Sequence, residues 1–321
     1  MANAFLKAEQ IISQGLGLLQ RELILPNLVT KYGLSDFKGA KNDTINIRIP
    51  SLLLGREYEF RTRNSPITVD ELNETSIPLT LNKHPYSAVS ITDEELTLDI
   101  ASWGEQVARP QIRAVAEKLE SYIAAAMVAA NYRHTVTWDQ GDPNGAVEDR
   151  SFYQAAVAAR KFLNIENVPA AGRFIVLGAN AEQAALDSPH LMKANEAGDD
   201  SALRDAVIGK IAGFTVIGNV NSVDPDFAVA AHATAFAFGN VAPAVPAGVA
   251  AGADMVYQGL AMRWIRDYDS DYLRDRSVYS AFAGAASVED GRDLESPEGS
   301  GFGELTDENV RAVELDFTAF T

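Results

Sequence analysis

The chain of 321 residues contains no cysteine. That absence removes disulfides, thiolate zinc sites and a cysteine nucleophile together, so stability has to come from packing and association. Bases are scarce as well: 27 Lys and Arg against 44 Asp and Glu leave a net charge of −17 at pH 7. Such a surplus gives no footprint for neutralising phosphates and argues against sequence-specific nucleic-acid binding. No apolar run reaches the ~18 to 20 residues that a membrane-spanning helix requires, because charges, Pro or Gly interrupt each one. The opening MANAFLKAEQIISQGLGLLQREL lacks a basic start, an apolar core and a small-residue cleavage site, and reads as a mature cytoplasmic start. His84, His134, His190 and His232 stand apart, with no HxH or HxxxH pair, and no GxSxG occurs. His232, in an apolar strand, is expected to be a satisfied core histidine.

What is present is an ordinary globular composition, 47% apolar and 22% charged. The charge is uneven: residues 289–321 hold ten acids and two arginines, a net −8 within the total of −17. Phe5, Ala8, Ile12, Leu16, Leu19 and Leu23 form one helical stripe that ends at Pro26, with Gly15 and Gly17 weakening it by roughly 1 kcal/mol each. From Thr44 the period becomes two. TINIRIP, REYEFRTR and IPLTLN alternate apolar with polar residues and predict the strands of a two-stranded arm. An isolated hairpin is marginal in water, so this arm has to lie on another surface.

Ile112, Val115, Leu119, Tyr122, Ala126 and Ala130 then recur at helical spacing behind Pro110, predicting one long helix. Residues 151–238 alternate helix and strand patterns. SFYQAAVAARKFL, NAEQAALDS and SALRDAVIGKI predict helices; RFIVLG, GFTVIGN and AVAAHATAFAFG predict strands. An Ala/Val/Pro/Gly connection follows at 240–254. MVYQGLAMRWIRDYD and RDRSVYSAFAGAASV then predict two strands, ESPEGSGFG a linker and RAVELDFTAF a last alternating segment.

IRDYDSDYLRDR, residues 265–276, sets Asp267, Asp269 and Asp271 at alternate positions and then Arg274, Asp275 and Arg276. An EF-hand loop counted from Asp267 needs Gly at its sixth position and Glu at its twelfth, where Tyr272 and Val278 stand. Paired catalytic carboxylates want a shaped pocket, whereas Arg263, Arg266, Arg274 and Arg276 flank these acids. The glycines of GKIAGFTVIG run from helix into strand, the reverse of a dinucleotide fingerprint. No catalytic, cofactor-binding or metal-ligating residue is therefore assigned.

The order of pieces is the most informative feature: helical arm, two-stranded arm, long helix, α/β unit, return strands. It resembles the major capsid (coat) protein family of tailed bacteriophages, the Hong Kong 97-like fold. LLQRELILPNLVTKYGLSDFKGAKNDTINIRIP is similar to the arm entering the extended loop in the coat-protein branch related to the Salmonella phage type. DSALRDAVIGKIAGFTVIGNVN resembles a central-domain helix beside a strand, and MRWIRDYDSDYLRDRSVYSAFAGAASV resembles the peripheral-domain strand pair. Together they span residues 1 to about 288.

The resemblance implies an α+β chain divided as follows: an N-terminal arm at 1–42, an extended β-loop at 43–95, and a peripheral domain with a spine helix at 96–149. An axial α/β domain at 150–240, with HLMKANEAGDD as its loop, return strands at 241–288 and an acidic tail at 289–321 complete it. It further implies a non-enzymatic shell subunit, forming hexamers and pentamers of an icosahedral bacteriophage head that encloses double-stranded DNA. Such a head is part of the virion and assembles in the host bacterial cytoplasm. Expected partners are other copies of the chain, a separate scaffolding protein, a portal, a decoration protein, and packaged DNA contacted without sequence specificity; no cofactor or membrane is expected. Inter-subunit candidates are Arg56, Glu57, Tyr58, Phe60, Arg61 and Arg63 on the arm, with Asp267, Asp269, Asp271, Arg274, Asp275 and Arg276. Interleaved acids and bases suit register-setting contacts between copies. Family members can cross-link a lysine of the extended loop, but Lys83 is the only lysine from 42 to 95 and lies away from the tip, so no cross-link is predicted. VELDFTAF is expected to be free to add to a neighbour's sheet edge. Two alternatives stay open at this point: an encapsulin-like nanocompartment shell, and a soluble α/β enzyme using Asp267, Asp269 and Asp271.

Overall fold

The computed structural model describes residues 24–39, 41–49, 53, 55–58, 66–67, 69, 72, 74–100, 102–138, 151–187, 209–218, 223–257, 260–292 and 305–317. A 3-10 turn at Leu25–Asn27 leads into β1 (Thr30–Tyr32) and a single helical turn, α1 (Leu34–Phe37). β2 (Thr44–Ile49) and β3 (Thr75–Thr80) form an antiparallel pair, and β4 (Tyr86–Thr92) follows. Two π-type turns, at Glu95–Asp99 and Gly104–Ala108, precede the long helix α2 (Arg109–Val128) and β5 (Tyr132–Trp138). Next come α3 (Phe152–Ile165), β6 (Arg173–Leu177), α4 (Ala179–Leu186), β7 (Lys210–Ile211), β8 (Phe214–Ile217), β9 (Ala228–His232) and β10 (Phe236–Val241). β11 (Ala251–Tyr257), β12 (Leu260–Asp269), β13 (Arg274–Ser280), β14 (Phe282–Ser287), β15 (Gly291–Arg292), β16 (Leu305–Thr306) and β17 (Asn309–Phe317) complete the described order.

The core of the fold is a mixed sheet of six strands in the order β5-β17-β9-β6-β8-β7. Both faces are covered, which is why RFIVL of β6 is apolar without alternation and buried throughout. Ile175, Leu177, Ala230, Val313 and Leu315 face α3 and α4 on one side. Phe174, Val176, Val229, Ala231 and Ala312 join the core built around α2 on the other. α3 begins with a capping box in which Ser151 and Gln154 satisfy each other's backbone N–H groups, a sequence-level start signal realised in full. α2 presents Ile112, Val115, Leu119, Ile123 and Met127 as one buried stripe, with Pro in its first turn as its position predicts. That stripe also packs beneath a four-stranded antiparallel sheet, β11-β12-β13-β4, and a three-stranded one, β1-β10-β14.

The base of the two-stranded arm is fixed by close approach. A Cβ on Gly284 of β14 would lie 2.1 Å from the Thr80 carbonyl oxygen, and one on Gly239 of β10 would meet the Phe37 ring at 2.8 Å. Only glycine lets the strands sit so near. Leu79, fully buried, then packs with Phe37, Ala237, Val241 and Val288.

Several expectations are corrected. Gly55–Tyr58 does not form a strand; Phe60, Arg61 and Arg63 lie outside the described residues, as do the helical stripe of residues 5–23 and HLMKANEAGDD. Of the helix expected over SALRDAVIGKI, residues 201–208 lie outside the described residues, and Lys210–Ile211 is a strand that turns back at Ala212 (φ 49°) and Gly213 (φ 89°) into β8. NAEQAALDS reads as a capped helix, but α4 has no side-chain cap; Gly178 lets the Pro225 carbonyl approach, and that oxygen accepts from the N–H groups of Asn180 and Ala181. The apolar run 228–239 is two strands in two sheets, broken at Ala233–Ala235. The two predicted return strands are four, β11 to β14.

The largest correction concerns the acidic tail. β17 is built into the sheet of its own chain: Val313–Phe317 runs parallel to β5 and Ala312–Glu314 pairs antiparallel with β9, so VELDF is core strand rather than a tail strand held for a neighbour, and residues 318–321 lie outside the described residues. Its alternation of acid and apolar residue reflects one strand's two environments: Val313, Leu315 and Phe317 are buried, and Asp316 is exposed. Charge counted over residues 289–321 averages this strand with the acid-rich stretch before it and hides its burial.

Candidate functional site

The charged stretch 265–276 is the outer half of the β12–β13 hairpin, closed by a turn at Ser270–Leu273. The register sets Asp267 opposite Arg276 and Asp269 opposite Arg274. Directly opposed residues of antiparallel strands share a face, so the sequence alternation becomes a ladder of cross-strand pairs. Arg276 Nε donates to Asp267 Oδ1 at 3.1 Å, and a second nitrogen of Arg276 meets Asp267 Oδ2. These bonds to Asp267 hold the Arg276 guanidinium above the ordinary arginine range. Arg274 reaches Asp269 Oδ2 at 3.4 Å and stacks over the Tyr272 ring, 4.6 Å from its centroid.

On the opposite face Asp275 is buried and held by Arg266, whose guanidinium also lies 4.7 Å over the Trp103 ring. Below it a buried hydrogen-bond chain ties the hairpin to α2. Trp264 Nε1 donates to Ser277 Oγ (3.0 Å), Ser277 Oγ donates to Gln111 Oε1 (2.9 Å), and Gln111 Nε2 donates to the Ser277 and Ser87 carbonyls. The Tyr268 hydroxyl donates to Asp93 Oδ2 at 2.9 Å, which raises its pKa above the usual tyrosine value. The hairpin is thus rigidly aimed.

These contacts alter what the stretch can do. Asp267, Asp269 and Asp275 are each engaged by an arginine of the same chain, so the ladder is satisfied before any partner arrives. A catalytic carboxylate cluster loses its ground for the same reason. What stands out at the tip is Tyr272 and Leu273, 70% and 61% exposed, with Leu273 at φ 48° in the left-handed region that a leucine seldom adopts. Sequence reasoning missed both because it followed charge; the signal available was a four-residue turn, SDYL, without glycine. His232 is the core histidine its surroundings suggested, its Nδ1 beside Thr234 Oγ1 and its Nε2 beside the Ala171 carbonyl, each at 2.9 Å.

The arm is the second surface. Of its candidates, Arg56, Glu57 and Tyr58 are described and exposed. Beyond them Ile67, Val69 and Leu72 are 70%, 81% and 73% exposed, a concentration of apolar side chains the single chain leaves in water. The arm and the hairpin tip are therefore separate exposed surfaces on a common body.

The two-stranded arm, the long helix beneath a four-stranded sheet and the six-stranded α/β unit define the Hong Kong 97-like capsid fold of tailed bacteriophages. The structure from Mycobacterium phage Che8 superposes with a TM-score of 0.61 over 92% of this chain and 91% of that one, at 17% identity. The capsid structure of the Cyanophage P-SCSP1u matches with a TM-score of 0.63 over 99% of this chain and 90% of that one, at 12% identity. The mature capsid of bacteriophage PhiM1 gives 0.59 over 93% and 88%, at 9% identity. No protein-family model and no curated protein matches the chain in sequence.

Proposed function

We propose that this chain is a major capsid protein, a structural and non-enzymatic subunit that assembles with copies of itself into the closed shell of a bacteriophage head. One observation carries the proposal: the capsid architecture is shared over about nine-tenths or more of both chains. The physical chemistry supports it. Shells are built from heterologous contacts that close into rings and from contacts between rings. A subunit for that purpose leaves apolar arms unsatisfied when alone, as at Ile67, Val69 and Leu72.

In this reading the axial part, expected at 150–240, takes in the whole six-stranded sheet with α3 and α4 and so adds β5 and β17, while α2 with the four-stranded sheet, which adds β4 from the span expected for the extended loop, is the peripheral part. The arm candidates Arg56, Glu57, Tyr58, Phe60, Arg61 and Arg63, and the outer hairpin from Asp267 to Arg276, are the contacts assigned to neighbouring copies. The shell would be made of hexamers and pentamers, assembled in the host bacterial cytoplasm with a separate scaffolding protein and a portal. It would enclose double-stranded DNA and could carry a decoration protein. A net charge of −17 suits a container filled by a motor, which has no need to grip the genome. Negative-stain electron microscopy of the purified chain tests this: capsomer rings, curved sheets or closed shells are expected, and a monodisperse monomer or small oligomer at high concentration overturns it.

A further inference from the structure

The four-stranded sheet ends on β4, whose only sheet neighbour among the described residues is β13. Soluble proteins ordinarily guard such an edge with charge, Pro, a bulge or a covering element. β4 has none of the first three: it reads YSAVSIT, and its pairing with β13 runs from Tyr86 opposite Ser280 to Thr92 opposite Arg274 without a register shift. Tyr86 and Val89 are 70% and 39% exposed, and Ala88 and Ser90 are exposed beside them.

The other described edges are managed. β11 carries Asp254 at its centre, β5 carries Arg133 and His134, β3 contains Pro78, and β7 is two residues long. β14 is also free of charge, but Lys83 bridges to Ala283 at its start and β3 lies against Gly284. β4 is thus the long described edge left unguarded.

We infer that β4 pairs antiparallel with β4 of a second copy, joining two four-stranded sheets across a two-fold axis with Val89 opposite its own counterpart. In an isologous contact each residue meets a symmetry-related patch, so any charged strand risks setting like charge against like. Symmetric pairing of β11 about its centre would oppose Asp254 to itself; pairing of β4 about Val89 sets Tyr86 against Thr92 and Ala88 against Ser90, with no charge in the ladder. The ladder stops at Thr92, whose N–H is already taken by Glu95 Oε2 at 3.0 Å. For a chain of net charge −17, a neutral edge is where two copies approach with least repulsion. The inference rests on the shell proposal, because a shell is what brings copies together at high local concentration.

The absence of cysteine makes the test direct. Cα atoms of opposed antiparallel residues lie ~4.5 to 5.5 Å apart, inside the ~4.4 to 6.8 Å range of a disulfide. Ala88→Cys, Val89→Cys and Ser90→Cys are assembled singly, oxidised with oxidised glutathione and run on a non-reducing denaturing gel beside an exposed control, Ile165→Cys. Val89→Cys is expected to give a dimer band at least ten times that of the control, and adding Ala88→Lys should abolish it. Imaged particles in which none of the three edge variants dimerises above the control overturn the pairing while leaving the shell proposal standing. If the wild-type chain forms no particle, the shell proposal fails; the same oxidation of the free chain then decides the pairing, a Val89→Cys dimer supporting it and none overturning it.

Discussion

Replacing Leu315 by Ala tests whether β17 belongs to the core or to a tail. Leu315 is fully buried between the six-stranded sheet and α3, in the cluster that contains Val136, Ile175 and Val313. Truncating such a side chain loses its transfer free energy and leaves a cavity, about 2 to 5 kcal/mol in all. At about 1.5 °C per kcal/mol for a chain of this size, the melting temperature should fall by roughly 3 to 7 °C. Asp316→Ala, one residue on and pointing to solvent, should change stability by no more than about 0.5 kcal/mol. Deleting residues 305–321 would expose or remove Val310, Val313, Leu315 and Phe317 together. At ~1.5 to 3 kcal/mol each that is on the order of 6 to 12 kcal/mol, comparable with the whole stability of a domain. The deleted chain should be insoluble or lack a cooperative melt, by circular dichroism and limited proteolysis. A soluble, cooperatively melting deletion, or equal effects of Leu315→Ala and Asp316→Ala, would refute the interior assignment.

Gly284→Ala should push β3 off β14, since the new methyl group would collide with the Thr80 carbonyl; a loss of about 1 to 3 kcal/mol and reduced particle yield are expected, and an unchanged melt with normal yield counts against the anchor. Arg276→Ala should cost no more than about 1 kcal/mol, because its pair with Asp267 is largely in water, whereas Arg266→Ala leaves Asp275 buried without its partner and should cost about 3 to 5 kcal/mol. Denaturant titration of the two variants checks that order, and a reversed order contradicts it. Burial lowers the pKa of His232, and that of His84, below the ordinary 6.5. Below pH 6.5 the unfolded chain therefore binds more protons than the folded one, so this contribution is full above pH 6.5 and lost as pH falls toward the folded value. His232→Asn should flatten the decline in melting temperature between pH 6.5 and 5; an undiminished slope excludes His232 as its source.

The long elements were legible because one physical rule dominates each. Ile112, Val115 and Leu119 repeat at helical spacing and are buried as expected, although further along the buried stripe runs through Ile123 and Met127 rather than Tyr122 and Ala126. TINIRI alternates where β2 has one covered face. The misreadings share a cause, which is tertiary partners that local pattern cannot reveal. Residues 228–241 are apolar throughout, and nothing in that run says that Ala228–His232 joins β6 while Phe236–Val241 crosses to β14. β17 carries acids on its accessible side, so composition places it in a tail although two strands flank it. At the hairpin the pattern of charges was visible and its meaning was not: spacing of two along each strand fixes a common face, but only the register reveals that the opposite charge on that face comes from the same chain.

That distinction bears on how a strongly acidic subunit can associate with itself. If the hairpin charges were unpaired in the single chain, they would have to shed water and find partners at every contact, and a misaligned contact would bury a charge alone. Paired internally, they present a nearly neutral face and fix the hairpin that carries Tyr272 and Leu273. The uncharged side chains left over are Tyr272 and Leu273 beside Asp271 at the tip, the apolar side chains of the arm, and the edge of β4. Their attraction is short-ranged, whereas the repulsion between copies of charge −17 reaches about a Debye length, ~8 Å at physiological salt. In the proposed shell, copies would be held apart until neutral patches meet in register. A shell built this way gains its stability from the number of contacts each subunit completes, and a wrongly placed subunit, completing fewer, leaves first.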